Sequence, residues 1–198
     1  MTRERAIVVL AKNPALGQVK TRLAQDLGDE RALEIYKILY HQTLKTVESV
    51  PKTHAYVYQS PKVDRRWIPN SQITSRLQSK GNLGDRMHAA LTEALSQHER
   101  VVLLGADCPG LHPEIIEEAF SALTQVDLVI GPSADGGFYL LGSKEVHPQL
   151  LQNRSWSHSE VFEKTVDLAS KQGLSIYLLP ELYDVDYLSD WKQWQSER

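Results

Sequence analysis

Three short polar clusters in this sequence carry side chains suited to phosphate and hard cations. The first, Lys12-Asn-Pro-Ala-Leu-Gly-Gln-Val-Lys-Thr-Arg22, sets Lys12, Lys20 and Arg22 around one glycine, Gly17. A loop that feeds a helix N-terminus offers backbone N–H groups to phosphate oxygens, and an arginine can grip them by a two-pronged contact. With one glycine and no Gly-Lys-Ser/Thr ending, it is neither a dinucleotide fingerprint nor a P-loop. The same residues would also make an ordinary solvated basic turn. The second cluster, Gly105-Ala-Asp107-Cys-Pro109, offers one carboxylate that could bind a divalent cation or simply hydrogen-bond its own turn. The third, Asp184-Val-Asp186, puts two carboxylates on the same side of an extended chain, able to share a cation or leave one free for it; as turn residues they would cap a helix ahead of Leu188. Magnesium needs only one or two carboxylates besides substrate phosphates, so one Asp from each acidic cluster suffices. Asp135-Gly136-Gly137 adds a carboxylate beside two glycines, fit to touch a sugar hydroxyl, to act as a base, or to make a hairpin turn.

The surrounding hydrophobic pattern says where these clusters sit. Residues 6–11 form an unbroken apolar run, as a strand buried on both faces requires, and the first cluster follows it directly. Leu33, Tyr36, Leu39, Tyr40, Thr43, Leu44 and Val47 recur at helical spacing, and Pro51 closes that helix before a strand at residues 55–58. The polar stretch 60–81, with Pro61 and Pro69, is expected to hold a short helix and a short strand. Leu83, Met87, Leu91 and Leu95 mark an amphipathic helix. Residues 101–105 form a strand that ends at Asp107, and Pro113 starts the next helix. Strands follow at residues 128–130, 138–142 and 176–179, the last leading into Asp184. Ser157 and Glu160 have capping-box spacing before a helix carrying Val161, Thr165 and Leu168. Strands alternating with helices predict an α/β fold: a Rossmann-like single domain over residues 1–198, with a mostly parallel central sheet and helices on both faces. In such a sheet ligands bind outside the carboxyl ends of the strands, where the clusters fall.

Composition narrows the partners. A net charge of -3 gives no basic field for nucleic acid. The single cysteine, Cys108, permits no intrachain disulfide and has no evident histidine partner, so it reads as a small packed side chain. No apolar run approaches the about 20 residues of a membrane span, and the N-terminal run is short for a secretory signal. The expectation is a cytoplasmic protein with neither nucleic-acid nor membrane partners.

Taken together, Lys12-Asn-Pro-x-x-Gly17-x-Val-Lys20-Thr-Arg22-Leu-Ala24, Gly81-Asn-Leu-Gly84-Asp-Arg86-Met, Gly105-x-Asp107-x-Pro109, Gly131-Pro132-x-x-Asp135-Gly136-Gly137-Phe-Tyr139-Leu, Trp156-Ser157 and Asp184-Val-Asp186 resemble the DUF2064 family of the glycosyltransferase-A (nucleotide-diphospho-sugar transferase) superfamily. Leu23 and Ala24 follow the basic residues much as in the related 2-phospholactate guanylyltransferases. The resemblance implies a GT-A fold and a transferase with a nucleotide-activated donor. It implies Asp107 and Asp186 as ligands of Mg²⁺ or Mn²⁺. It puts Lys12, Gly17, Lys20 and Arg22 at the phosphates, and Gly81, Leu83, Gly84 and Arg86 against the base or ribose. Asp135 would act on the acceptor, with Gly136, Gly137 and Trp156 around it. Three positions depart from the wider pattern: Pro109 stands where many glycosyltransferases have a second aspartate, the first loop is poor in glycine, and His158 replaces a threonine. The leading expectation is a metal-dependent glycosyltransferase that moves a sugar from a nucleotide sugar to a small-molecule acceptor. The alternatives are a nucleotidyltransferase that uses a nucleoside triphosphate and releases pyrophosphate, and a non-catalytic nucleotide or sugar binder.

Overall fold

The apolar run at residues 6–11 lies in strand β1 (Arg5–Lys12), which is covered on both sides and both faces. Its in-register neighbours are β2 (Thr53–Ser60) and β4 (Arg100–Leu104), both parallel to it, so that Val8 lies between Tyr56 and Leu103. Alternation along the strand sends Ile7 and Val9 to one face and Ala6 and Val8 to the other. The first pair packs with helix α2 (Asp29–Ser49) and helix α4 (Pro113–Ala122) through Tyr36, Tyr40, Leu44, Ile116 and Phe120. The second packs with α3 (Leu83–Leu95), the short α5 (Pro148–Leu151) and α6 (Val161–Lys171) through Met87, Leu91, Leu151 and Ala169. These are the expected two helical layers around one sheet.

A computed structural model describes residues 4–68, 71–152, 155–156 and 159–197 of this chain. The sheet is completed by β3 (Thr74–Leu77), β5 (Leu128–Pro132), β6 (Phe138–Ser143) and β7 (Ile176–Leu178), in the order β3-β2-β1-β4-β6-β5-β7. Only β6 runs antiparallel to its neighbours, returning from β5 as a hairpin and inserting between β5 and β4. The chain builds outward from β1 through β2 to β3 and then crosses back to place β4 on the other side of β1. That reversal opens a crevice at the carboxyl ends of β1 and β4. The polar stretch after β2 holds a 3-10 turn (Arg65–Trp67) and β3, as expected.

Two local expectations change. A separate short helix, α1 (Thr21–Leu27), precedes α2, with Gly28 at φ 80° between them. Helix α6 starts at Val161 with Glu160 at its N-cap, three positions later than a Ser157 cap would require. Glu160 pairs instead with Lys164, one turn along the helix; Ser157 and His158 lie outside the described residues. The C-terminal helix α7 (Leu188–Ser196) docks Trp191 and Trp194 on Leu23, Ile35 and Leu39 of α1 and α2. Val185 is buried in that same cluster, which fixes the segment that carries the third polar cluster, Asp184-Val-Asp186. No helix among the described residues is long and apolar enough to cross a membrane.

Candidate active site

A cleft of 650 Å³ opens at the carboxyl ends of β1 and β4. It is lined by Lys12, Lys20, Arg22, Gln78, Leu83 and Arg86 and by the carboxylates of Asp107, Asp135, Asp184 and Asp186. Gly137, Phe138 and Trp156 close it on the side of β6, where the Phe138 and Trp156 rings meet edge to face with centroids 6.0 Å apart. Gly17, Gly81, Gly84 and Gly136 are not among the lining residues. Two of them, Gly84 and Gly136, shape the walls by close packing. A Cβ on Gly84 would collide with the Leu151 carbonyl and the Trp156 indole, so only glycine lets α3 seat against them. Gly136 combines φ +85° with a backbone packed against the Ser159 carbonyl.

Backbone contacts explain how the acidic residues converge. Val185 donates its N–H to the Asp107 carbonyl (3.1 Å), tying the segment after β7 to the turn after β4. With Val185 buried toward α1 and α7, Asp184 and Asp186 both face the cleft. Asp190 Oδ2 accepts the Asp186 and Tyr187 amides at 2.9 and 2.7 Å, which anchors the chain as it enters α7. Asp135 Oδ1 accepts the Gly137 amide at 2.9 Å, so this carboxylate does make the turn that its Asp-Gly sequence suggests while standing at the cleft.

The centre of the cleft is an ion cluster. Lys20 Nζ lies 2.9 Å from Asp107 Oδ2 and 3.0 Å from Asp186 Oδ1, with its side chain only 3 % exposed. Burial opposes its charge, but Asp107 and Asp186 more than offset burial and hold the ammonium protonated above its ordinary range. Arg22 bonds the other Asp186 oxygen at 3.0 Å and lies over the Tyr187 ring. For Asp186, burial is outweighed by these two cations, and its carboxyl falls below the usual range. Asp184 goes the other way: burial first, then the Asp107 charge, push it up to about 7. Ser133 Oγ reaches it only at 3.4 Å. Cys108, beside this cluster, is buried, and its thiol is raised far above the ordinary range, chiefly by burial, in keeping with a packing role.

Asp107 Oδ1 is buried with no hydrogen-bond partner among the described residues. No group of three or more histidine, cysteine, aspartate or glutamate side chains among the described residues is arranged to hold a metal ion. The unpartnered Asp107 oxygen and Asp186 could supply the one or two carboxylates that Mg²⁺ or Mn²⁺ takes beside substrate phosphates.

Gln78 and Asp184 are the residues that sequence reasoning missed or left unassigned. Gln78 Nε2 donates to the Ala11 and Tyr58 carbonyls at 2.9 and 2.8 Å, pinning the carboxamide across the ends of β1 and β2. Its Oε1 therefore faces Arg86, which reaches it at 3.4 Å and bonds the Gly81 carbonyl at 3.0 Å.

The family model for uncharacterized proteins conserved in bacteria, DUF2064, matches residues 43–158, more than half of the chain. No curated protein matches it. Among solved structures, a candidate nucleotide-diphospho-sugar transferase from Desulfovibrio desulfuricans G20 is 28 % identical with a TM-score of 0.89, over 95 % of this chain and 84 % of its own. The Rv0371c protein of Mycobacterium tuberculosis H37Rv, crystallised with manganese, is 15 % identical with a TM-score of 0.63, over 98 % of this chain and 100 % of its own. A nucleotidyl transferase from Methanothermobacter thermautotrophicus is 14 % identical with a TM-score of 0.69, over 98 % and 97 %. The last two share the fold.

Proposed function

The chain belongs to the DUF2064 family, and we propose that it is a nucleotide-dependent transferase acting from a nucleotide sugar on a small hydroxyl-bearing acceptor. The observation that carries this reading is the ion cluster at the switch point of the sheet, where Lys20 and Arg22 meet Asp107 and Asp186. A cleft with both phosphate-binding cations and cation-binding carboxylates suits a nucleoside diphosphate group that must leave with its charge stabilised. The Desulfovibrio relative, a candidate nucleotide-diphospho-sugar transferase, supports the same donor class.

Arg22 is half exposed and stands ready to bind the diphosphate. Gln78 and Arg86 present an acceptor and a cation toward the nucleoside, and Leu83 offers an exposed apolar surface beside them. Mg²⁺ or Mn²⁺ held by Asp107 and Asp186 would neutralise phosphate charge as the donor bond breaks. The acceptor oxygen attacks the anomeric carbon, the bond from that carbon to the phosphate oxygen breaks, and the nucleoside diphosphate leaves with the electron pair. The acceptor's hydroxyl proton passes to Asp135, whose carboxylate is oriented by the Gly137 amide. Phe138 and Trp156 supply an aromatic wall for the sugar face.

A thermal-shift panel of nucleoside triphosphates and nucleotide sugars, with and without Mg²⁺ or Mn²⁺, tests the reading, since ligands that bind the folded state raise its melting temperature by mass action. A metal-dependent shift with a nucleotide sugar is expected, with nucleoside diphosphate as the product of turnover. Pyrophosphate release from a triphosphate would replace the glycosyl reading with nucleotidyl transfer.

A further inference from the structure

Lys20 lines the cleft, yet its ammonium is buried between two carboxylates. Its side chain is 3 % exposed, and its ammonium bridges Asp107 Oδ2 and Asp186 Oδ1 at 2.9 and 3.0 Å. The backbone is also unusual there: φ 49° and ψ 43° put Lys20 in the left-handed region, which residues with a Cβ rarely enter. Lys20 and Lys52 are the non-glycine residues with positive φ among those described. Lys20 is the N-cap of α1 but makes no side-chain cap bond, so helix capping does not account for the conformation. Such strain persists where the surroundings over-determine it. Here the surroundings are two carboxylates, one from the turn after β4 and one from the segment entering α7, that would otherwise repel each other.

Taking the cleft as a nucleotide site, as proposed above, we infer that Lys20 is a resident cation that occupies the metal position between Asp107 and Asp186 and gives it up when a divalent cation and nucleotide arrive. The ammonium already fills the gap between the two oxygens. Mg²⁺ coordinates such oxygens at about 2.0–2.1 Å, and a dication beside the ammonium is repelled by it, so the gap holds one or the other. The buried, unpartnered Oδ1 of Asp107 gives the incoming ion a first oxygen without displacing anything. Arg22 stays on the outer oxygen of Asp186, at 3.0 Å, and need not move. Once expelled, the ammonium needs an anion, and the donor's phosphates supply it. Metal and nucleotide therefore each provide what the other's binding requires: the metal takes over the carboxylates, and the phosphates take over the ammonium. The two ligands are coupled through one side chain, and the coupling is reciprocal. Lys20 is thus a positioning residue before donor binding and a phosphate ligand after it.

The test measures Mn²⁺ binding to the full chain, without nucleotide, by electron paramagnetic resonance of the free ion. Lys20→Met removes the competing charge and keeps the length of the side chain, and it is expected to bind Mn²⁺ about tenfold more tightly than wild type, a shift that loss of one nearby cation readily gives. Equal or weaker Mn²⁺ binding by the variant overturns the inference. If Lys20→Met does not fold, the wild type decides. The acylation rate of Lys20, followed by mass spectrometry, should rise several-fold when saturating Mn²⁺ expels the side chain, and an unchanged rate overturns the inference. The nucleotide reading fails separately: equal Mn²⁺ affinities with nucleotide binding intact remove only the exchange role of Lys20, whereas no nucleotide binding in the ligand panel removes the site itself.

Discussion

Both ends of the central sheet open into cavities bordered by charged side chains, and the two ends balance that charge in opposite ways. At the amino ends of β1, β2 and β4 a cavity of 1020 Å³ is bordered by Glu4, Arg5, Arg100 and Glu117. The two arginines there each have their own carboxylate. Arg5 grips Glu117 with two nitrogens, at 2.8 and 2.9 Å, and Arg100 pairs with Glu4. Arg5 also bonds the Pro51 carbonyl and lies over the Phe120 ring, while Arg100 bonds the Phe120 carbonyl. At the carboxyl ends the smaller cleft has one ammonium serving two carboxylates, a third carboxyl pushed up to about 7, and an orphaned oxygen. At the amino end the two arginines are each matched to one carboxylate as structure, whereas at the carboxyl end Asp107 keeps an oxygen without a partner and Asp184 is pushed toward its protonated form.

The contrast can be broken most sharply at Asp107. Asp107→Asn keeps the size of the side chain and removes its charge, so the variant should fold while metal-dependent turnover of the donor found by the panel drops by about a hundredfold or more. Retention of full turnover and an undiminished response to Mn²⁺ would return Asp107 to the role of a turn residue. A smaller loss is expected from Arg22→Ala. Its guanidinium is half exposed and leaves no cavity when removed, so calorimetry should show nucleotide affinity reduced by about ten- to a hundredfold with little change in stability.

The two ends should also differ in the sign of their pH dependence. Asp184 titrates at about 7 in the folded chain against an ordinary value of 3.8, so folding favours its protonated form. That contribution is complete below the ordinary value and is lost as pH rises toward about 7. Asp184→Asn should therefore stabilise the metal-free protein at pH 8 by about 1–3 kcal/mol, with the gain shrinking by pH 5. Denaturant melts of both proteins at the two pH values check this, and a gain that grows on acidification would contradict it. Glu117 has the opposite sign. The Arg5 hydrogen bonds hold its carboxyl below the usual range, so its contribution is present at neutral pH and disappears as pH falls through the folded value. Because this pair is partly exposed, Glu117→Gln should cost under about 1 kcal/mol at pH 7 and leave nucleotide binding unchanged.

Much of this arrangement is legible in the residues themselves. The unbroken apolar runs at residues 6–11 and 101–104 fix β1 and β4, and the polar clusters that follow them mark the carboxyl ends of the strands. Alternation in Asp184-Val-Asp186 correctly turns both carboxylates one way, because Val185 has a core to enter. What escapes a linear reading depends on distant partners. A lysine in a loop reads as solvated, and nothing local announces that Lys20 will adopt positive φ and bury its ammonium between residues 107 and 186. Gln78 lies in a stretch without hydrophobic periodicity, and its importance comes from carbonyls on β1 and β2. Asp-Gly at residues 135–136 signals the β5–β6 hairpin, but the insertion of β6 beside β4 is a long-range pairing that no turn specifies. The seven residues of α1 are too few for a helical stripe to emerge beside α2.

Hydrogen–deuterium exchange of the full chain, with and without Mn²⁺ and the nucleotide sugar that gives the largest thermal shift, tests the central claim most directly because it reads both ends of the sheet at once. Ligand should slow exchange at the carboxyl end, in segments 12–22, 78–86, 105–107 and 184–187, which line the cleft. Segments 47–53 and 72–73, at the amino end, should exchange as before. Protection confined to the amino-end segments, with the carboxyl-end segments unchanged, would contradict the account.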